Sequence, residues 1–504
     1  MTDLRDHSGD IPDLSPPTNA ASSASLDPAE WSEFRAVAHK LVDACIDRLQ
    51  AARDMPWIPV PAAQAAAYRL DGLGRGEAAT AQRLVTEIMP YATGNTHPGF
   101  FGWVHGTGLA SGLLSEMVAA TMNSNSGGRD HGMIHVERAV IEWTRDVMGF
   151  PETASGVLVT GTSQATVIAL AAARTRALGP AVRSDGLGQA RLVAYAGRGA
   201  HSATAKAMEL LGIGNRALRL VPGTDGVMDL AGLRDMIRAD RAAGLQPFAL
   251  IGTAGSVDLA QFDNLTALAD LARDEQIWLH VDGAFGAWTR LADAPWRGLS
   301  EGIGRADSLA CDFHKWMYVP YDCGLVLIRN EAEHRAAFAA RPAYLESQAA
   351  GLGGGEPWFC DYGIDLSRGG RALKVWAAIE TYGTKRLGAA ITLNCQLARA
   401  MAGLVAADHR MRLMAPITAN ICVFSADATL SKDQQSVLNR KIAQDLQLAG
   451  IAVFSTTMID GVTVLRAAIT NHRTNSADVA RAVAAVAELR DRQRSVANGN
   501  GGER

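Results

Sequence analysis

The chain has only six cysteines, Cys45, Cys311, Cys323, Cys360, Cys395 and Cys422, and none forms a C-x-x-C pair. That scatter excludes the spacings of zinc ribbons and redox motifs, so no structural metal is expected. Reduced thiols in a cytoplasmic protein are the plain reading. An excess of charge is also missing: 48 Lys and Arg face 52 Asp and Glu, a net of −4. Nothing in that balance favours nucleic acid or an anionic membrane as partner. No uninterrupted apolar run reaches the length of a bilayer span. The start, Met1-Thr-Asp-Leu-Arg-Asp, leads into a Pro/Ser/Ala-rich stretch without the apolar core of a signal peptide.

What is present is enough apolar material for a sizeable interior: 48% apolar against 20% charged over 504 residues. That length calls for more than one core. Residues 1–27 and 497–504 have the composition of disordered tails. From 28 to 110 the apolar spacing is helical, as in Phe34, Val37, Leu41, Ala44 and Leu49. From about 140, short apolar runs alternate with helical stretches: Val157–Thr160, Leu192–Tyr195, Phe248–Ile251, Ile277–Val281, Ser308–Cys311 and Leu325–Ile328. Such alternation indicates βαβ units and a mostly parallel sheet, placed in a large domain over 111–372. A smaller α+β domain follows over 373–496, with strands at Asn420–Phe424 and Val462–Arg466 and a closing helix from Ser476.

Four segments fall at strand ends, where α/β sheets place ligands. Ser308-Leu-Ala-Cys-Asp-Phe-His-Lys-Trp runs from a strand into His314 and Lys315; alone, such a lysine is as well read as a solvated loop residue. In His280-Val-Asp-Gly-Ala-Phe, Asp282 ends an apolar strand, as a cap, an ion-pair partner or the holder of a protonated ring nitrogen. Leu158-Val-Thr-Gly-Thr-Ser-Gln-Ala turns at Gly161 into a helix whose free N–H groups, with Thr162 and Ser163, suit a phosphate. Ordinary N-capping is the other reading of that turn, and without a following Gly-Lys it is no Walker loop. Gly199-Ala-His-Ser-Ala-Thr-Ala-Lys opens a helix at His201, either a structural imidazole or one that lies flat on a cofactor ring.

Taken in order along the chain, these segments resemble the group II PLP-dependent amino-acid decarboxylases, which include aromatic-L-amino-acid, glutamate and histidine decarboxylases. His97-Pro-Gly-Phe-Phe-Gly-Trp resembles that family's access segment, and Gly252-Thr253 its Gly-Thr strand end. The likeness covers roughly residues 90–470, and His280-Val-Asp-Gly-Ala and His314-Lys-Trp carry most of it. It implies the PLP type I fold, with a seven-stranded, mostly parallel sheet, a helical N-terminal segment and a small C-terminal domain. It also implies a homodimer whose active sites draw on both chains.

The resemblance further implies pyridoxal 5′-phosphate held covalently by Lys315, with its ring nitrogen against Asp282. His201 and Ala284 would meet opposite ring faces, Thr253 would lie at the strand end beside them, and Thr162, Ser163 and His314 would anchor the phosphate. Asp312 stands where the family commonly has asparagine, and a carboxylate beside a phosphate is repulsive unless screened or turned away. The activity implied is loss of carbon dioxide from an aromatic or related L-amino acid. For the returning proton, the family's loop tyrosine corresponds in register to Phe359, with Tyr362 close by. Relatives with phenylalanine there yield aldehydes, which is the competing outcome. A PLP-binding regulator would normally have lost the lysine or the aspartate, and the His-Lys-Trp setting argues against an aminotransferase. Trp103, His105, Asn123 and Asn125 are candidate substrate contacts, the asparagines being equally turn formers. Arg466 resembles the carboxylate-binding arginine of the glutamate branch, or is a strand-end arginine facing solvent. Gly351–Gly355 suits a lid or a surface loop.

Overall fold

The computed structural model describes residues 25–224, 227–340 and 348–499. Apart from 25–27 and 497–499, the expected tails lie outside those residues. The chain divides into two compact units: the described residues up to Ala51 with Val60–Ala92, and Ala52–Pro59 with Thr93 onward. In the first, helices α1 (Trp31–Gln50), α2 (Ala62–Ala67) and α3 (Gly76–Arg83) realise the helical spacing read from the sequence. This unit ends at Ala92 rather than near 110. Phe100 and Phe101 instead form β1 and pair with a strand of the C-terminal sheet.

The second unit continues with α4 (Ala110–Met122), α5 (Gly132–Met148), β2 (Ser155–Val159), α6 (Thr162–Leu178), β3 (Leu192–Gly197), α7 (Ser202–Leu210), β4 (Leu218–Val221) and α8 (Leu230–Ala242). Then come β5 (Gln246–Thr253), α9 (Leu265–Asp274), β6 (Trp278–Asp282), β7 (Ser308–Asp312), the single turn α10 (Phe313–Trp316), β8 (Gly324–Ile328) and α11 (Glu331–Phe338). The seven-stranded sheet runs β2-β8-β7-β6-β5-β3-β4. It is parallel except that β8 opposes both its neighbours. Strands β2, β3, β6, β7 and β8 are buried at every residue, as a sheet covered on both faces requires.

After α12 (Ala372–Ala407) the chain forms β9 (Arg412–Leu413), β10 (Ile421–Ser425), α13 (Lys432–Leu448), β11 (Val453–Ile459), β12 (Val462–Ala468) and α14 (Ser476–Gly499). Their five-stranded sheet has the order β1-β11-β12-β10-β9. Ser431 and Gln434 close a capping box at the start of α13. The expected boundary at 372 divides no separate compact unit, because α12 packs against both α5 and α14. Among the described residues, α12 alone is long and apolar enough to cross a membrane by length and composition, and half of its apolar window is buried. It breaks at Gly383, whose φ of 69° is one that glycine adopts without strain.

Two histidines are sealed in this core without a charge. His334 bonds the Ser155 hydroxyl at 2.8 Å and the Tyr362 carbonyl at 2.7 Å. His280 takes the hydroxyl of Ser308, its register partner on β7, at 2.9 Å. Burial pushes both imidazoles down from 6.5 to about 3. An unfolded chain therefore takes up protons that the folded one refuses, and stability is expected to fall as pH drops below 6.5. Each imidazole should cost about 2 kcal/mol by about pH 5, seen as a lower urea midpoint. A midpoint that stays flat over that interval would contradict buried neutral histidines.

Candidate active site

Strand register sets the site. Thr253 at the end of β5 pairs with Asp282 at the end of β6, and Asp282 with Ala310 of β7. On the other side, Gly324 of β8 lies between Asp312 and Val159, the last residue of β2. The carboxyl ends of the parallel strands thus open together on a cavity of about 370 Å³. Its lining includes Thr162, Ser163, His201, Thr253, Asp282, Ala284, Asp312, His314 and Lys315. All nine expected cofactor contacts therefore meet in one place.

Asp312 is the hub. Its Oδ2 lies 2.8 Å from the Lys315 Nζ, and its Oδ1 accepts the Thr162 backbone N–H at 2.7 Å. Burial alone would raise this carboxyl, but Lys315, His314 and the two hydrogen bonds outweigh it and hold it below the usual range. For Lys315, burial works to lower the ammonium, and Asp312 followed by Asp282 raises it on balance. Asp282 is the opposite case. Burial pushes its carboxyl up, Lys315 only partly pulls it back, and its one hydrogen bond comes from the Ala284 N–H at 3.2 Å. Such a carboxylate is short of a cation.

The turn from β2 into α6 has the form of an anion cradle. The Thr162 hydroxyl is buried with no partner, and α6 extends 17 residues behind it. Glycine is required on the facing strand: a Cβ on Gly324 would lie 2.6 Å from the Gly161 Cα. His201 caps α7 by accepting the Ala203 N–H at its Nδ1, 3.2 Å away. Its Nε2 then carries the proton. The access segment crosses directly above, since a Cβ on Gly106 would fall 1.5 Å from the His314 carbonyl oxygen.

These groups fit pyridoxal phosphate. Lys315 offers an amine to its aldehyde, Asp282 an anion to its ring nitrogen, and the Thr162–Ser163 turn donors to its phosphate. Comparison with known proteins agrees. The family profile described as the pyridoxal-dependent decarboxylase conserved domain matches residues 78–427. The chain belongs to that family. It is 30% identical over 388 residues to the aromatic-L-amino-acid decarboxylase of Bacillus atrophaeus, covering 76% of this chain and 79% of that one. It is 27% identical over 401 residues to the phenylacetaldehyde synthase of a Rosa hybrid cultivar, covering 76% and 78%. The crystal structure of Oryza sativa TDC with PLP and tryptamine superposes with a TM-score of 0.85 at 25% identity, over 93% of this chain and all of that one.

The decarboxylase is thus a PLP-dependent carboxy-lyase. When bound, PLP supplies an electron sink for the bond that breaks at the substrate Cα. The chain's own part is to hold and orient. Asp282 would keep a proton on the ring nitrogen, His201 would cover one ring face, and the α6 N-terminus would fix the phosphate.

Several expected substrate or catalytic residues lie elsewhere. Trp103 and His105 do line the cavity, but Arg466 does not. Its guanidinium is buried and donates to the carbonyls of Trp103, Val257 and Asp258 and to the Ser455 hydroxyl, so it pins loops instead of facing solvent or substrate. Asn123 is the left-handed C-cap of α4, at φ 44°. Asn125 accepts the N–H groups of Gly127 and Arg368, which makes it a turn former. Tyr362 gives its hydroxyl to Glu331 and packs on His334, and Phe359 sits beneath Arg368 at 5.5 Å. Neither lines the cavity of its own chain. The glycine loop is fastened rather than free, because Leu352 accepts the Asp130 N–H and Arg138 donates to Gly355 and Pro357. The main residue that sequence reasoning missed is Tyr321. Its ring packs against His314 at a tilt of 34°, with centroids 4.4 Å apart, and its hydroxyl accepts the Gly106 N–H at 3.3 Å. No spacing rule marks it out, because it follows an ordinary Val319-Pro320 link.

Lys315→Ala is expected to abolish both the visible absorption band formed on adding PLP and all turnover; a yellow, active variant would refute the assignment. Asp282→Ala should still take up cofactor, yet lose activity by about a hundredfold or more. Arg466→Met should lower stability by about 3 kcal/mol in urea melts while leaving KM within about twofold. A large rise in KM at unchanged stability would restore it to the substrate pocket.

Proposed function

We propose that the decarboxylase converts an aromatic L-amino acid to its amine and carbon dioxide. The supporting observation is the wall of rings beside Lys315: Trp103 and His105 lie 5.7 Å apart, His105 and Tyr321 5.9 Å, and Tyr321 rests on His314. An aromatic side chain can stack or meet these rings edge to face. The names of the Bacillus and Oryza relatives point the same way.

A homodimer in the cytoplasm belongs to this reading. Helix α4 exposes Leu114, Met117, Val118 and Met122, a stripe at helical spacing. Contiguous apolar patches of that kind mark protein interfaces. No disulfide joins any of the cysteines, which suits a reducing compartment.

One observation favours a second outcome. The Tyr362 hydroxyl is already held by Glu331, and Phe359 has no proton to give. If the carbanion met oxygen instead of a proton, then amino acid, oxygen and water would yield aldehyde, carbon dioxide, ammonia and hydrogen peroxide. The relative named phenylacetaldehyde synthase is consistent with that course. Incubation of the holoenzyme with the twenty amino acids and dopa separates the two. The first reading expects one carbon dioxide and one amine per turnover from an aromatic substrate, with no oxygen uptake. Equal oxygen uptake and ammonia release would establish the second, and turnover of non-aromatic substrates alone would sink both.

A further inference from the structure

Asp312 is only 1% exposed, and both of its oxygens are committed. Oδ1 holds the first N–H of α6, and Oδ2 holds the Lys315 ammonium and lies 3.7 Å from the His314 Nε2. The same N-terminus, with the partnerless Thr162 hydroxyl and the exposed Ser163, forms the phosphate cradle. A fixed anion is therefore built into the place where the cofactor's own anion must settle. The Oδ1 of Asp312 sits close against the opposing Gly324, where a Cβ would lie 2.7 Å from it.

We propose that Asp312 is a positioning residue that competes with the phosphate ester of PLP for the N-terminus of α6, so that the enzyme holds its cofactor weakly and exchanges it readily. The carboxylate takes an N–H that a phosphate oxygen would otherwise accept, and its charge opposes the incoming phosphate. Within the chain it also neutralises Lys315 and fixes the turn. The balance between these roles makes the phosphate worth less here than at a cradle without a resident anion.

The experiment compares PLP with pyridoxal, which lacks the phosphate. Each aldehyde condenses with the Lys315 amine and releases one water, so effects of a substitution on the lysine cancel in the ratio of the two affinities. Binding to the apo-protein is followed by absorbance and by fluorescence quenching. In Asp312→Asn the preference for PLP over pyridoxal is expected to rise about tenfold or more, the scale of a removed neighbouring charge. Inorganic phosphate alone should then raise the melting temperature of the apo-variant at concentrations that leave the wild type unmoved. A preference that stays flat or falls overturns the proposal and leaves Asp312 as a structural acceptor for Thr162. Asp312→Ala, read in the same way, decides the matter if the asparagine variant does not fold: competition raises the preference, whereas a purely structural role lowers it. Failure of the wild type to bind either aldehyde would be a different result, sinking the cofactor assignment itself.

Discussion

Two carboxylates buried at neighbouring strand ends, and the half-buried ammonium of Lys315 in the turn that follows, are the constraint on which the site depends. Asp312 has Lys315 at 2.8 Å and an amide at 2.7 Å, so its charge is met within the chain. Asp282 has one longer hydrogen bond and a distant share of the same lysine, and burial wins. Buried charge without a partner is costly. A protonated ring nitrogen is the kind of cation that would relieve Asp282, and its aldehyde end would then lie toward Lys315. The inequality between the two acids leaves Asp282 as the one that would gain from such a cation.

That inequality rests on the sheet. Strands alternate their side chains, so Trp278, His280 and Asp282 share one face of β6. The first two are fixed by one hydroxyl: Ser308 accepts the Trp278 indole N–H at 2.7 Å and bonds His280 at 2.9 Å. A one-residue slip of register would turn Asp282 to the opposite face. Packing deep in the core therefore sets the direction of a carboxylate at its rim.

Much of this was legible from residue order alone. Strand ends, the Gly161 turn and the helix starts follow from local chemistry, and each sequence-derived strand of the large domain was found within a few residues. The contacts made through long-range pairing were not legible. Nothing near Arg466 announces that three carbonyls, one of them from Trp103, will converge on its guanidinium. Register along the chain points to Tyr362 and Phe359, whereas their positions are decided by Glu331 and Arg368, neighbours no local pattern predicts. Tyr321 escaped notice because an aromatic residue after proline carries no signal until the chain folds back over Gly106.

Two of the buried arginines, Arg368 and Arg466, explain how loops can border such a site without blurring it. Arg368 pairs with Glu137 at 2.6 Å and also donates to the Ser126 and Leu158 carbonyls, while Glu137 receives the Leu158 N–H. This ties the segment carrying Phe359 to β2, the strand that leads into the phosphate turn. Arg466 does the same for the access segment and the loop after Thr253, joining both to β12. A guanidinium is suited to the task because its several donors lie in a fixed plane and it stays charged when buried. Arg368 is compensated by the Glu137 carboxylate and two carbonyls, and Arg466 by three carbonyls and a hydroxyl, so each desolvated cation holds its loops through several hydrogen bonds. Rigidity at the rim then comes from polar clamps together with the buried Phe100, whose ring lies 6.1 Å from Trp103 and 5.6 Å from His105 in the aromatic wall.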